Sequence, residues 1–110
     1  MCSHTEVQRV AWRARIRPGT EAEYIRRHDE IWPEMTAVLN AAGIHNYTVW
    51  MSGQDLFGYY ECADAKLAAQ VQAASPVVDR WNEYMKDILM MDFDPETGVT
   101  PPLQQVFYHP

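Results

Sequence analysis

The chain has 110 residues, with 15 acidic and nine basic side chains and a formal net charge of −6. A polypeptide of this length forms one domain that buries about 60–70% of the surface its unfolded state exposes, so we expect a single domain over residues 1–110. The negative charge argues against nucleic acid and anionic membranes as partners, because both would repel it. The longest apolar runs in the chain are far shorter than the ~20 residues of a membrane-crossing helix.

Cysteine usage predicts the compartment. The only cysteines are Cys2 and Cys62, and the first residues lack the charged and then apolar pattern of a signal peptide. Two such cysteines do not form the disulfide framework typical of small secreted domains. We therefore expect a cytoplasmic protein with free thiols.

A strand and a long helix are predicted first. Apolar and mostly basic residues alternate over residues 8–16, which is the period of a half-buried strand. Thr20 and Glu23 have the spacing of a capping box, and Gly43 is suited to end a helix. We therefore predict one helix over residues 20–43.

One face of this helix is expected to be buried. Its inward-facing stripe consists of residues at spacings of three and four: Tyr24, His28, Ile31, Met35, Leu39 and Ala42. Pro33 cannot donate a backbone hydrogen bond inside a helix, so we expect a kink just after His28.

A hairpin and a second helical region follow. Residues 45–51 and 56–62 alternate like strands and flank a loop at residues 52–55. Two helices are predicted next, residues 65–74 capped by Asp64 and residues 76 to about 89 capped by Ser75.

The chain is predicted to end in a loop at residues 93–102 and a strand at residues 103–108. The order of elements is the split βαβ pattern of a ferredoxin-like α+β fold, with helices on one face of an antiparallel sheet. The other face carries aromatic and apolar residues. We expect a second copy to cover it, as in a dimeric α/β barrel.

His28 is the first candidate for chemistry, because an imidazole titrates near pH 6.5. A lone inward-facing histidine can equally be a core residue whose nitrogens are satisfied by its neighbours. Tyr24, Trp32 and Pro33 lie close in sequence and favour a polar site in an apolar wall.

The sequence does not favour metal, nucleophilic or cofactor chemistry. His28 has no second histidine or cysteine at ligand spacing, so we expect no metal. Cys62 has no adjacent base, and we find no nucleophile elbow, phosphate loop or dinucleotide fingerprint. We therefore expect no cofactor.

Aromatic residues suggest what the site binds. Tyr24, Tyr47 and Trp81 fall on the predicted inner faces of three different elements, although each alone could be a core residue. Together they offer flat apolar surfaces with polar edges. Such surfaces suit a small neutral sugar better than a lipid or an anion.

Several separated motifs resemble the L-rhamnose mutarotase family. They are Arg26-Arg27-His28, Ile31-Trp32-Pro33-Glu34, His45-Asn46-Tyr47, Arg80-Trp81, Tyr84-Met85, Leu103-Gln104 and Val106-Phe107-Tyr108. The match runs in order from Val10 to Pro110, which is far more specific than any single motif.

The resemblance implies a cytoplasmic, cofactor-free homodimeric enzyme that interconverts the α and β anomers of L-rhamnose. Carried over by motif, His28 is the proton donor, and Tyr24, Tyr47 and Trp81 line the sugar. Some members have a second tryptophan after the position of Trp81. This chain has Asn82 there, and we expect its amide to hydrogen-bond a sugar hydroxyl instead.

Other assignments stay open at this point. The second acid or base beside His28 could be Tyr24, Tyr47, Glu61 or water. The alternative functions are a cofactor-free oxygenase of the dimeric α+β barrel type and a non-catalytic module that binds a small sugar.

Overall fold

A computed structural model describes residues 7–90 and 102–110 of the chain. In chain order the elements are β1 (Gln8–Ile16), α1 (Glu21–Asp29), α2 (Pro33–Ala41), β2 (His45–Ser52), β3 (Asp55–Cys62), α3 (Ala65–Ala73), α4 (Pro76–Met85) and β4 (Leu89–Met90). The strands form one antiparallel sheet in the order β2-β3-β1-β4. This topology confirms the predicted ferredoxin-like α+β fold.

The sheet has one buried and one open face, because successive side chains of a strand point to opposite sides. On β3, Leu56, Tyr60 and Cys62 are buried, whereas the intervening Phe57 is 41% exposed. Ile16 of β1 is fully buried on the same side as Leu56. The helices cover this side, so the core lies between the helices and the sheet.

The predicted long helix is two helices. Helix α1 ends at Asp29 and α2 starts at Pro33, so the break replaces the kink we expected. Trp32 precedes the proline in an extended conformation, with φ −65° and ψ 136°. A residue before proline disfavours the helical conformation, whereas proline fits the first helical position because its missing N–H would have no partner there.

The predicted capping box does not form. Thr20 donates its hydroxyl to the carbonyl of Arg17 at 2.7 Å and makes no side-chain cap. The carboxylate of Glu23 instead accepts from Arg26 Nε at 2.8 Å and from Arg27 Nε at 2.7 Å. Arg26 and Arg27, three and four residues after Glu23, therefore bind the carboxylate oxygens that would have accepted hydrogen bonds in a capping box.

Three other predicted helix boundaries are confirmed, namely those at Gly43, Asp64 and Ser75. Gly43 has φ 74°, and the N–H of Ile44 donates to the carbonyl of Leu39, which is the wrapping of a Schellman end. Asp64 accepts from the Leu67 N–H, and Ser75 caps the first turn of α4. These boundaries depend on residues a few positions apart, which explains why the sequence located them.

The predicted strand at residues 103–108 is wrong. Residues 102–110 contain no strand, although the Leu103 N–H donates to the carbonyl of Ala11 at 2.7 Å. Helix α4 ends at Met85, earlier than expected, and the short β4 provides the fourth strand through pairing with Arg15 and Ile16. Alternation alone did not reveal which segment pairs with the free edge of β1. The predicted loop at residues 93–102 lies outside the described residues, apart from its last position.

Candidate active site

A tyrosine and a histidine form the centre of the site on helix α1. Tyr24 and His28 are one turn apart, and their rings stack with centroids 4.2 Å apart and planes at 25°. His28 Nδ1 lies 3.1 Å from the Tyr24 carbonyl oxygen. A carbonyl only accepts, so Nδ1 carries the proton and Nε2 of the neutral ring is free to accept one.

Burial changes the acid–base properties of this pair. It lowers the pKa of His28, because the charged imidazolium loses hydration, while the Tyr24 carbonyl partly opposes the shift. It raises the pKa of Tyr24 well above its usual range, and the neighbouring Tyr47 phenol adds to the effect. At neutral pH the site therefore contains a neutral imidazole and protonated phenols.

Indole and phenol rings from α4 and the α1–α2 connection form one wall. Trp81 lies edge-on to His28, with centroids 5.4 Å apart, and is almost completely buried. Trp32 meets Trp81 at 90° and 5.1 Å, and Tyr84 packs against both tryptophans. Such edge-to-face contacts fix the ring orientations.

Tyr47 of β2 contributes from the sheet side. Its hydroxyl oxygen accepts a hydrogen bond from Trp12 Nε1 at 3.0 Å, and its ring packs against Tyr60 at 5.2 Å. The residue as a whole is 37% exposed, but its hydroxyl end lies in a desolvated environment. Burial raises the pKa of Tyr47 to about 12, despite the opposing hydrogen bond from Trp12.

Four of the five predicted site residues come together: Tyr24, His28, Tyr47 and Trp81. Asn82 does not join them. It follows Trp81 by about 100° of helix rotation, is exposed, and lies in a separate surface groove of about 460 Å³ with Arg17 and Lys86.

Glu61 points away from His28. It lies on the open face of β3, where its carboxylate accepts from Asn46 Nδ2 at 2.9 Å and from the Tyr59 hydroxyl at 2.7 Å. These two hydrogen bonds lower the pKa of Glu61. Within one chain it is therefore separated from the imidazole by the sheet.

Sequence reasoning missed three contributors to the site, namely Trp12, Tyr84 and Arg27. Trp12 and Tyr84 belong to apolar faces that pattern analysis treats as core, and only their spatial neighbours distinguish them. Arg27 falls outside the inward-facing stripe predicted for its helix. Its guanidinium instead pairs with Asp87, donates to the Tyr84 carbonyl at 2.7 Å and covers the Tyr84 ring.

The described residues contain neither a cluster of metal ligands nor a membrane-spanning helix. Over residues 7–90 and 102–110, no three histidine, cysteine or carboxylate side chains are grouped so that they could bind a metal ion. In the same ranges, none of the helices has the length and apolar character needed to cross a membrane.

Fold and site together define a class of protein. A ferredoxin-like domain here presents a neutral imidazole and two phenols among indole rings, and no buried charged side chain is found among the described residues. Aromatic planes can pack on the C–H faces of a small polyhydroxylated ligand, and the imidazole and hydroxyls can bond its oxygens. These features are typical of a protein that binds a small sugar beside groups able to exchange protons.

Comparisons with known proteins identify the family. The family model for L-rhamnose mutarotase matches residues 9–109. An L-rhamnose mutarotase from Opitutus terrae is 39% identical over 104 residues, covering 91% of this chain and 96% of that protein. One from Phocaeicola vulgatus is 33% identical over 103 residues, covering 93% and 98%.

A solved structure agrees with these sequences. The crystal structure of an L-rhamnose mutarotase from Formosa agariphila superposes with a TM-score of 0.76 at 26% identity, covering 94% of this chain and 99% of that one. The chain belongs to the L-rhamnose mutarotase family.

Proposed function

We propose that this protein interconverts the α and β anomers of L-rhamnose. The observation that carries the proposal is the stacked Tyr24–His28 pair facing Trp81, in a chain that belongs to the L-rhamnose mutarotase family. The indole supplies a flat surface for the C–H face of the sugar. The imidazole and the phenols supply polar edges for its oxygens.

The reaction moves one proton between two oxygens of the sugar. The anomeric hydroxyl loses its proton, and the bond between the anomeric carbon and the ring oxygen breaks. The ring oxygen takes the bonding electron pair and gains a proton. The resulting aldehyde rotates and the steps reverse, so that no proton is consumed.

His28 is suited to both transfers. Its neutral Nε2 takes the proton of the anomeric hydroxyl, and the imidazolium so formed donates that proton to the ring oxygen. The Nδ1 contact to Tyr24 leaves Nε2 available, and the lowered pKa of His28 favours the neutral starting form. His28 is thus the proton donor in the second half of each opening.

The other residues have binding roles in this proposal. Tyr24 and Tyr47 donate hydrogen bonds to sugar oxygens, and Trp81 supports the apolar face. Contact between Asn82 and the sugar stays a sequence-based prediction, because Asn82 lies in a separate groove. Glu61 is not part of the proposed proton transfer.

The test measures anomer exchange by saturation-transfer NMR with L-rhamnose, L-fucose and D-ribose. We expect L-rhamnose to exchange fastest, and His28→Ala to lose about 10²- to 10⁴-fold of the enzyme-dependent rate with little change in sugar affinity. His45→Ala is the matched control, because His45 is exposed at the start of β2. Wild-type exchange in His28→Ala would refute the assignment.

The alternative functions predict different results. A non-catalytic module would bind L-rhamnose and raise the melting temperature, but the exchange rate would stay at the buffer value. An oxygenase would consume O₂ with a polycyclic phenol. Neither alternative accounts for a family match over residues 9–109.

The active form in our proposal is a homodimer in the cytoplasm. The open face of the sheet exposes Trp50 by 68% and Phe57 by 41%, a large apolar area for a surface in water. Cys62 is a free buried thiol, which suits a reducing compartment. Sedimentation tests the dimer, and cell fractionation beside a periplasmic marker tests the location.

A further inference from the structure

The indole of Trp12 fills the space beside Gly58, where any side chain larger than a hydrogen atom would clash with it. Trp12 pairs in register with Gly58 of the adjacent strand, and a Cβ added at Gly58 would lie 2.0 Å from the Trp12 indole. The φ angle of Gly58 is not positive, so the requirement is space and not conformational freedom. The indole therefore lies directly against the backbone of β3, where it packs against two groups of buried residues, one that includes Ile16 and Leu56 and one that includes Tyr60 and Cys62.

This position brings the indole N–H to the Tyr47 hydroxyl at 3.0 Å. An indole N–H can only donate, so the Tyr47 oxygen is the acceptor of this bond. The hydroxyl proton of Tyr47 is not used in the contact. The ring of Tyr60, 5.2 Å away, restricts the Tyr47 ring as well.

We propose that Trp12 is a positioning residue, which holds the Tyr47 oxygen so that the Tyr47 hydroxyl donates a hydrogen bond to a sugar oxygen beside His28. Gly58 is the residue that permits this arrangement. The inference rests on the proposed function and specifies that Tyr47 is the donor in its hydrogen bond to the sugar. Tyr47 acts as a donor throughout and takes no proton from the sugar.

Two physical effects explain why a Tyr47 hydroxyl that donates to the sugar would favour ring opening. A hydroxyl whose oxygen accepts one hydrogen bond becomes a stronger donor for the next. As the ring opens, negative charge develops on the sugar oxygen that leaves the anomeric carbon, and a fixed donor stabilises that charge without reorganisation. The raised pKa of Tyr47 keeps its proton in place across the working pH range.

The experiment replaces Trp12 by Phe, which keeps an aromatic ring and removes the N–H. We expect kcat for L-rhamnose anomer exchange to fall about three- to ten-fold with little change in KM, as for the loss of one hydrogen bond. Gly58→Ala displaces the indole and is expected to cause a similar loss. Leu67→Ala is the control, since Leu67 is 51% exposed on helix α3, outside both the site and the open face of the sheet.

A double-mutant cycle separates positioning from general structural damage. In a Tyr47→Phe background, Trp12→Phe should cause no further loss of kcat, because the group it positions is already absent. The Cζ resonance of Tyr47, observed with ¹³C-labelled tyrosine, should shift in Trp12→Phe and not in Leu67→Ala. Additive losses of kcat, or an unshifted resonance, would overturn the inference.

A second replacement keeps the test decisive if Trp12→Phe does not fold. Benzothienylalanine at position 12 retains the shape of the indole and lacks only the N–H donor, and the same fall in kcat is expected. Wild-type kcat with this residue would overturn the role of Trp12 while leaving the proposed function intact. If the wild-type protein itself fails to exchange L-rhamnose anomers, the proposed function fails first.

Discussion

His28 owes its proposed chemistry to a single backbone atom. The Tyr24 carbonyl accepts from Nδ1 and so selects the tautomer whose Nε2 is free. The stacked Tyr24 ring and the edge of Trp81 restrict the imidazole from two sides. The spacing of Tyr24 and His28 was readable from the sequence, because residues four apart in a helix lie on one face. The tautomer and the contact with Trp81 required the structure.

The pH dependence of the rate tests which form of His28 starts the reaction. Because burial lowers the pKa of His28, the neutral form should predominate above pH 6.5. We expect the enzyme-dependent rate to rise with pH along a single ionisation centred below 6.5 and to stay flat from pH 7 to 8.

Saturation transfer at each pH, with the buffer rate subtracted, provides the measurement. His28→Ala should remove the pH-dependent limb, while His45→Ala should retain it. A rate that falls as the pH rises through 6 to 7 would instead mean that the reaction starts from the imidazolium.

At the scale of elements, Arg27 links the helix of the imidazole to the helix of the indole. Its side chain is 10% exposed, and it donates to the Tyr84 carbonyl and pairs with Asp87 after the end of α4. Its guanidinium also covers the Tyr84 ring at 4.4 Å. Among the residues that the structure describes, the side chain of the adjacent Arg26 bonds only Glu23 and Glu30, on its own helical segment.

The two arginines therefore form a matched pair for a stability experiment. Arg27→Met should lower the free energy of unfolding by about 1–2 kcal/mol, a value reduced because Asp87 is largely exposed to water. Arg26→Met should leave the urea midpoint nearly unchanged, since exposed pairs within one helix contribute little. Equal shifts in the two urea denaturation curves would contradict the proposed link between α1 and α4.

For the whole molecule, the open face of the sheet explains the dimer that we propose. Trp50 and Phe57 are cross-strand partners there. The chain end carries exposed apolar residues too, with Val106 87% and Phe107 81% exposed. Such surface is costly in water unless another molecule covers it.

Trp50→Lys should weaken self-association by at least ten-fold, because it would bury an unpaired charge in the interface. Leu67→Lys is the control, since Leu67 is 51% exposed on helix α3, away from this face. Sedimentation equilibrium over a range of protein concentrations provides the measurement. A wild-type chain that stays monomeric at all concentrations would exclude the dimer.

The sequence by itself determined the features that depend on neighbouring residues. Alternation located β1 and the hairpin, Gly43, Asp64 and Ser75 marked helix ends, and helical spacing placed Tyr24 beside His28. Separated motifs in the right order identified the family.

Only the tertiary structure decided what depends on partners distant in the chain. It put β4 and not residues 103–108 at the edge of the sheet, and it separated Asn82 and Glu61 from His28. It also revealed the hydrogen bond from Trp12 to Tyr47, which can form because Gly58 has no side chain where the Trp12 indole lies. The physical reason is that hydrogen bonds and ring contacts between strands and helices are set by packing, which no local pattern specifies.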